Sequence, residues 1–216
     1  MDWHGVVRSG TLPAADEDDI HKMIDAAEAG RWEEVAPPPD KRPQRAPINA
    51  WRPGDETWMT PLHIAAAAGA AIEVIDALLR LGAWRTLPDA HGFEPLDHAE
   101  MAGADHLIDA LTPAHPLDLS HSESEMAAMN ARLEAIVHKT VATVGGPEMR
   151  TPEIGVMTEF ACPMWMGIPE MYGGLSMKLE DDGLYVDRWS RLWPQLHTAF
   201  IITPDGQARE VCPMPS

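Results

Sequence analysis

The sequence predicts a mainly α chain: a stacked array of helix pairs, followed by a helix and a small antiparallel β meander. Three observations carry that prediction. Thr60-Pro-Leu-His-Ile-Ala-Ala-Ala-Ala-Gly69 is echoed by Glu94-Pro-Leu-Asp-His-Ala-Glu-Met-Ala-Gly103 at a constant offset of 34 residues. A period in that range marks repeated helix pairs, each burying its apolar face against the next. Ser122-Glu-Ser-Glu125 has the spacing of a capping box and opens a long apolar stripe. Beyond Met149 the apolar residues fall into short runs punctuated by Gly and Pro, which is strand punctuation.

Residues 1–15 carry Trp3, Gly5, Gly10 and Pro13 without periodicity and are expected to form a loosely attached arm. The array is expected over 16–114 as about three units, the first and last degenerate. Asp16-Glu-Asp-Asp19 places negative charge at the positive end of a helix, which continues through Met23, Ile24, Ala26 and Ala27 to a break at Gly30. Arg31 to Val35 begins a second short helix. Prolines 37–39 end that unit, and Lys41 to Pro47 forms a basic, proline-rich surface linker. Ile48 to Met59 reads as a long turn reversed at Pro53-Gly54, with Trp51 and Trp58 near an exposed tip. The next turn, Trp84 to Phe93, stands in the same place one period later.

Thr60-Pro61-Leu62-His63, with Ala65, Ala66 and Gly69, then Glu73-Val-Ile75, Leu78-Leu79 and Leu81-Gly82-Ala83, resembles an ankyrin repeat. The resemblance covers roughly Asp18 to Leu111 and implies a turn followed by two antiparallel helices in each unit. It also implies that His63 bonds across to the next turn, a structural duty. The physical jobs are legible beside it. Thr60-Pro61 suits a helix start, Ala65 and Ala66 let neighbouring helices approach, and Gly69 accepts positive φ at a helix end. In the echo Glu94 replaces the Thr, Asp97 the His and Glu100 a small residue. A polar outer face of that kind suits a terminal unit.

Residues 115–216 are expected to hold the helix that presents Met126, Met129, Leu133, Ile136, Val137 and Val144 on one face and stops at Gly145-Gly-Pro147. Strands follow at Val156–Phe160, Leu175–Leu179, Leu184–Arg188, His197–Ile202 and Gln207–Val211, with hairpin turns at Asp181-Asp-Gly183 and Pro204-Asp-Gly206. Pro163 to Gly174 reads as a loop dense in Met, Trp and Tyr. Its Pro169-Glu-Met-Tyr-Gly-Gly174 core resembles tails that follow short ankyrin arrays in some bacterial proteins of unassigned role.

Charge narrows the function. Against 16 Lys+Arg stand 34 Asp+Glu, a net charge of −18, and from Thr86 to Ala131 there is no Lys or Arg while nine acidic residues occur. That field disfavours nucleic acid and anionic membranes and draws in a basic protein. The cysteines, Cys162 and Cys212, cannot build a disulfide framework and read as buried thiols of a cytoplasmic protein. No apolar run has the length of a membrane span.

The chemistry motifs are sparse. Among His91, His98, His106, His115 and His121 no pair has the helical spacing of metal ligands, so neither a metal nor another cofactor is expected. No nucleotide loop or nucleophile elbow is present, and Cys162 has no basic neighbour in sequence. The expectation is a non-catalytic protein-binding module, monomeric when free, in its sharpest form an immunity protein that neutralises a toxin. The partner-binding residues expected are Trp51, Arg52, Asp55, Trp58, Trp84, Arg85, Asp89, Phe93, Asp97, Glu100 and Asp105, with Trp165 and Tyr172 in the C-terminal part. The alternative is a small enzyme or small-molecule-binding protein with its site around Tyr172, His197 and Cys162, the repeats serving as a targeting arm.

Overall fold

The computed structural model describes residues 1–37, 48–113, 121–160 and 162–211. The expected basic linker (Lys41 to Pro47), His115, Asp118 and Cys212 lie outside the described residues. The chain divides into two compact units, Val7–Ala114 and a second made of Met1–Val6 with His115–Ser216.

The helical unit contains α1 (Ala14–Glu28), α2 (Trp32–Val35), α3 (Pro61–Ala67), α4 (Ile72–Arg80), α5 (Pro95–Met101), a 3-10 turn (Asp105–Leu107) and α6 (Ile108–Leu111). α3 packs between α1 and α5. Their shared core holds Ile24, Leu62, Ala65, Ala66, Ile75, Leu78, Ala99 and Leu107, all essentially inaccessible. Each of the larger aliphatic side chains there contributes on the order of 2 kcal/mol by leaving water.

One backbone device ends three helices. Gly30, Gly69 and Gly103 have φ of 69°, 57° and 67°. The N–H of each bonds back to Ala27, Ala66 and Glu100. The N–H of the residue after it reaches the carbonyls of Ala26, Ala65 and Ala99. This pair of bonds satisfies carbonyls that the helix end would otherwise orphan.

The 34-residue echo is equally visible in the turns. Asp55 Oδ1 accepts the Thr57 N–H at 2.9 Å, and Asp89 Oδ1 accepts the His91 N–H at 2.7 Å. Successive turns are tied together by Asn49, whose Nδ2 donates to the Gly82 carbonyl while its Oδ1 accepts the Trp84 N–H, and by the Ala90 N–H on the Thr57 carbonyl.

The second unit corrects the fold class. A helix-pair array closed by a small antiparallel meander does not describe this chain, because a six-stranded mixed sheet dominates its C-terminal half. The strands are β1 (Asp2–Trp3), β2 (Met164–Ile168), β3 (Gly173–Glu180), β4 (Gly183–Ser190), β5 (Thr198–Ile202) and β6 (Ala208–Val211), in sequential order. β1 runs parallel to β2 and every other pair is antiparallel. Two readings of the sequence fail here. Residues 1–6 are no loose arm, for Trp3 is buried and its indole N–H donates to the Arg150 carbonyl at 2.8 Å. The Pro163–Gly174 loop contains β2, in which Met164, Met166 and Ile168 alternate inward.

The expected strand at Val156–Phe160 is also corrected: a helical turn, α8 (Ile154–Met157), occupies that stretch. Its first N–H is taken by the Asn130 side chain at 2.8 Å, a partner from 24 residues earlier. Asn130 belongs to α7 (Glu123–Val144), which starts at the Ser122–Glu125 capping box and ends at Gly145 in the left-handed conformation. α7 buries Met129, Leu133, Val137, Val141 and Val144 and packs on β5, while α8 packs on β3.

Cross-strand register sorts the sheet residues into faces. One face carries Trp3, Met164, Met166, Ile168, Leu175, Met177, Leu179, Leu184, Val186 and Ile202, all buried. Arg188 lies on this face too. Its guanidinium donates to the Leu196 carbonyl and to the hydroxyls of Thr140 and Thr198, and it stacks over Phe200 at 5.4 Å. Partial burial among these neutral acceptors pulls its affinity for a proton down.

Candidate interaction surface

Most of the expected partner-binding residues of the helical unit are occupied by the fold. Trp51, expected near an exposed tip, and Trp84, expected to bind the partner, are buried at 0% and 2% exposure, and Trp51 packs against the half-buried Trp58 at 6.1 Å. A large ring at the base of a turn is worth more in the core than in water, so the turn folds over it. Arg52 reaches back to α1, with Nη2 at 2.7 Å from Asp25 and 3.1 Å from Glu28. The hydrogen bond from Arg52 holds the Asp25 carboxyl below its usual range. Asp55 shapes its own turn, and Arg85 Nε donates to the Ala110 carbonyl at 2.9 Å.

Asp89 is 5% exposed and holds the second turn together. Its Oδ1 accepts N–H bonds from His91 and Phe93, and its Oδ2 lies 2.9 Å from His98 Nε2. Burial pushes this carboxyl up, but the bonds from Phe93, His91 and His98 together outweigh it and hold the carboxyl below its ordinary value. Asp97 turns inward in the same way, its Oδ2 accepting the Glu94 N–H at 2.7 Å at the start of α5.

Beneath this turn lies His63, fully buried and edge-on to His98 at 5.6 Å between ring centroids. The Thr60 N–H donates to its Nδ1 at 3.2 Å, so Nδ1 is the acceptor and the Thr60 hydroxyl, 2.8 Å away, donates to it as well. Burial first, and the neighbouring His98 second, push the His63 imidazole down to about 3. It is a neutral structural group.

What stays outward is a smaller set. Phe93 is 43% exposed and its ring meets His98 edge-on at 6.1 Å, while Glu100 and Asp105 are exposed on and just after α5. Met101, 62% exposed, is a residue that sequence reasoning missed. The signal was available: its counterpart in the echo is Ala67, also exposed, so a thioether had replaced a methyl at a solvent position.

In the sheet unit Tyr172 is 67% exposed and Trp165 half-buried. Trp189 and Leu192, at 40% and 58%, were also missed. Alternation from Tyr185 through Asp187 places Trp189 on the face opposite the core, but only once the register is known. Cys162 is exposed, which corrects the expectation of a buried thiol. His197 faces Asp187, Nε2 to Oδ1 3.8 Å, and the Tyr172 carbonyl accepts the Arg191 N–H at 3.1 Å.

Among the described residues, no group of three or more His, Cys, Asp or Glu side chains is placed to hold a metal ion, and no helix is long and apolar enough to cross a membrane. No family model matches the chain, and no curated protein matches it.

Proposed function

We propose that this chain is a non-catalytic protein-binding module that engages a basic partner through the acidic surface around α5. In its sharpest form it is an immunity protein that neutralises a basic toxin by covering its working surface. The observation that carries the reading is the outward set on and beside α5. Phe93, Glu100, Met101 and Asp105 are all exposed, within a stretch from Thr86 to Ala131 that holds no Lys or Arg. Exposed apolar anchors in a stretch of one sign of charge suit a partner that brings cations at its rim. The resemblance of Thr60–Ala83 to an ankyrin repeat points the same way.

The test is capture from the source cell with the full chain as bait, the products of neighbouring reading frames included, at low and at physiological salt. A basic protein should be retained, with association that slows as salt rises. Reversing Glu100→Lys together with Asp105→Lys should cut the association rate by roughly tenfold at low salt. Asp97 is left alone because it caps α5. No basic partner at low salt, or an unchanged rate in the double variant, would sink the proposal.

A further inference from the structure

We propose that the outer face of the sheet unit carries a second docking surface, shaped for a basic, proline-rich segment of a partner protein bound in extended conformation. It goes beyond the reading of the α5 surface and stands on separate residues. Register builds it. Asp2 pairs with Trp165, Trp165 with Ser176 and Ser176 with Asp187, so these four form one row across β1 to β4. The neighbouring row is Gly167, Gly174 and Trp189. Both rows lie on the face opposite Met166, Leu175 and the rest of the core, because successive strand residues alternate.

The glycines make the floor. A Cβ on Gly174 would come within 2.8 Å of Trp165 Cζ2, so the Trp165 indole lies across Gly174, toward the strand that carries Trp189. Two indoles therefore occupy one small area of sheet with no side chain on the glycine between them. Two carboxylates stand on the first row, Asp2 on the edge strand and Asp187 on β4, the latter facing His197, before the row continues to Ala199 and Val211. Lys178, on the same face, is engaged by Glu180 at 2.6 Å.

A third aromatic is held out beside this floor. Tyr172 has φ of +49° and Glu170 +64°, a conformation that glycine takes more readily than a tyrosine or a glutamate. The turn is locked by its neighbours: Ser190 Oγ donates to the Met171 carbonyl, Ser190 Oγ accepts the Trp193 N–H, and the Arg191 N–H donates to the Tyr172 carbonyl. Backbone strain held in place around an outward aromatic is a mark of a recognition site.

The chemistry of the face selects the occupant. Proline rings stack on exposed indoles, and a polyproline helix is already extended, so little order is lost on binding. Arginine or lysine beside the prolines meets Asp2 and Asp187 and can lie over an indole face. An anionic ligand would be opposed by a chain of net charge −18.

The test uses the full chain and a fluorescein-labelled octaproline with an arginine at each end, followed by anisotropy. Binding is expected with Kd on the order of 10–100 μM. Trp189→Ala and Tyr172→Ala, both at exposed positions, should each weaken it about tenfold. An octaproline ended by glutamates should bind at least about tenfold more weakly at low salt. The Glu100→Lys, Asp105→Lys variant should bind the peptide as the parent does, which separates this surface from the α5 reading. Equal affinity in Trp189→Ala, indifference to the terminal charges, loss in the α5 variant, or capture of cellohexaose with no peptide binding would each overturn the proposal.

Discussion

The two turns and helices related by the 34-residue echo have nearly the same backbone and opposite chemistry. At the start of α3 the third helical residue, His63, accepts the Thr60 N–H through a neutral imidazole; at the start of α5 the same position is Asp97, accepting the Glu94 N–H through a carboxylate. Ala65 and Ala99 are both inaccessible, and Gly69 and Gly103 both reverse the chain. What differs is outside. Ala67 becomes Met101, and the nine-residue α4 becomes a 3-10 turn followed by the four-residue α6. A capping position needs an acceptor of the right reach, and a carboxylate there also suits the positive end of the helix. The second copy could therefore become acidic without changing its fold.

The comparison breaks most visibly in the core. Leu62 is fully buried while its counterpart Leu96 is half-buried. Leu62→Ala should cost about 3 kcal/mol of unfolding free energy and Leu96→Ala roughly half of that, measured by urea denaturation. Equal costs would show that the second helix pair is packed as tightly as the first.

Next comes pH. The His63 imidazole has a folded value near 3, below its unfolded value near 6.5, so the unfolded chain binds the extra proton between the two. Stability contributed by neutral His63 is complete above about pH 6.5 and is lost as pH falls toward 3. Asp89 has a folded value below the ordinary one, so its contribution is complete above about pH 4 and is lost only as pH falls through the folded value. The urea midpoint should fall from pH 6.5 downward in the parent, and His63→Gln should lessen that slope, the remainder belonging to His4, whose imidazole burial pushes down to about 4. Asp89→Asn should leave it sloped. A parallel profile in His63→Gln would remove His63 as the cause.

Smallest are the helix ends. Gly69→Ala and Gly103→Ala place a Cβ at positive φ and should each cost about 1 kcal/mol, within a few tenths of one another. An added Cβ at Gly69 meets only Ala104 at an ordinary 3.6 Å and at Gly103 meets nothing. Unequal costs in thermal melts would mean that one end depends on its surroundings beyond the backbone.

The fold was legible, in each of the two units, where the determinants were local. Glycines at three helix ends, the Ser122–Glu125 box and the Asp-Gly turns each act within five residues, and each stands where its residues suggest. In the sheet unit β3 to β6 stand close to their expected places, whereas β1, β2 and α8 were not legible, because their determinants are distant. β2 holds only five residues between Pro163 and Pro169, too few for alternation to announce a strand, and its first partner, β1, lies some 160 residues earlier. α8 starts where Asn130 supplies an acceptor, a contact that Val156-Met-Thr-Glu-Phe160 does not encode. The interaction residues divided along the same line. Phe93, Glu100 and Tyr172 are outward, but Trp51, Trp84 and Asp89 were claimed by packing and by turn hydrogen bonds.

The parallel pairing of β1 with β2 also sets an order in time. Met1–Val6 is made before 7–114, yet its partner strand follows only after all of 7–114 has been made. The helical unit has its own core and can close while the first six residues wait. A fragment beginning at His115 would present the bare rim of β2 at Trp165 and Met166 and the empty slot of Trp3. It should clump as it is synthesised, and the hexapeptide supplied separately should restore it.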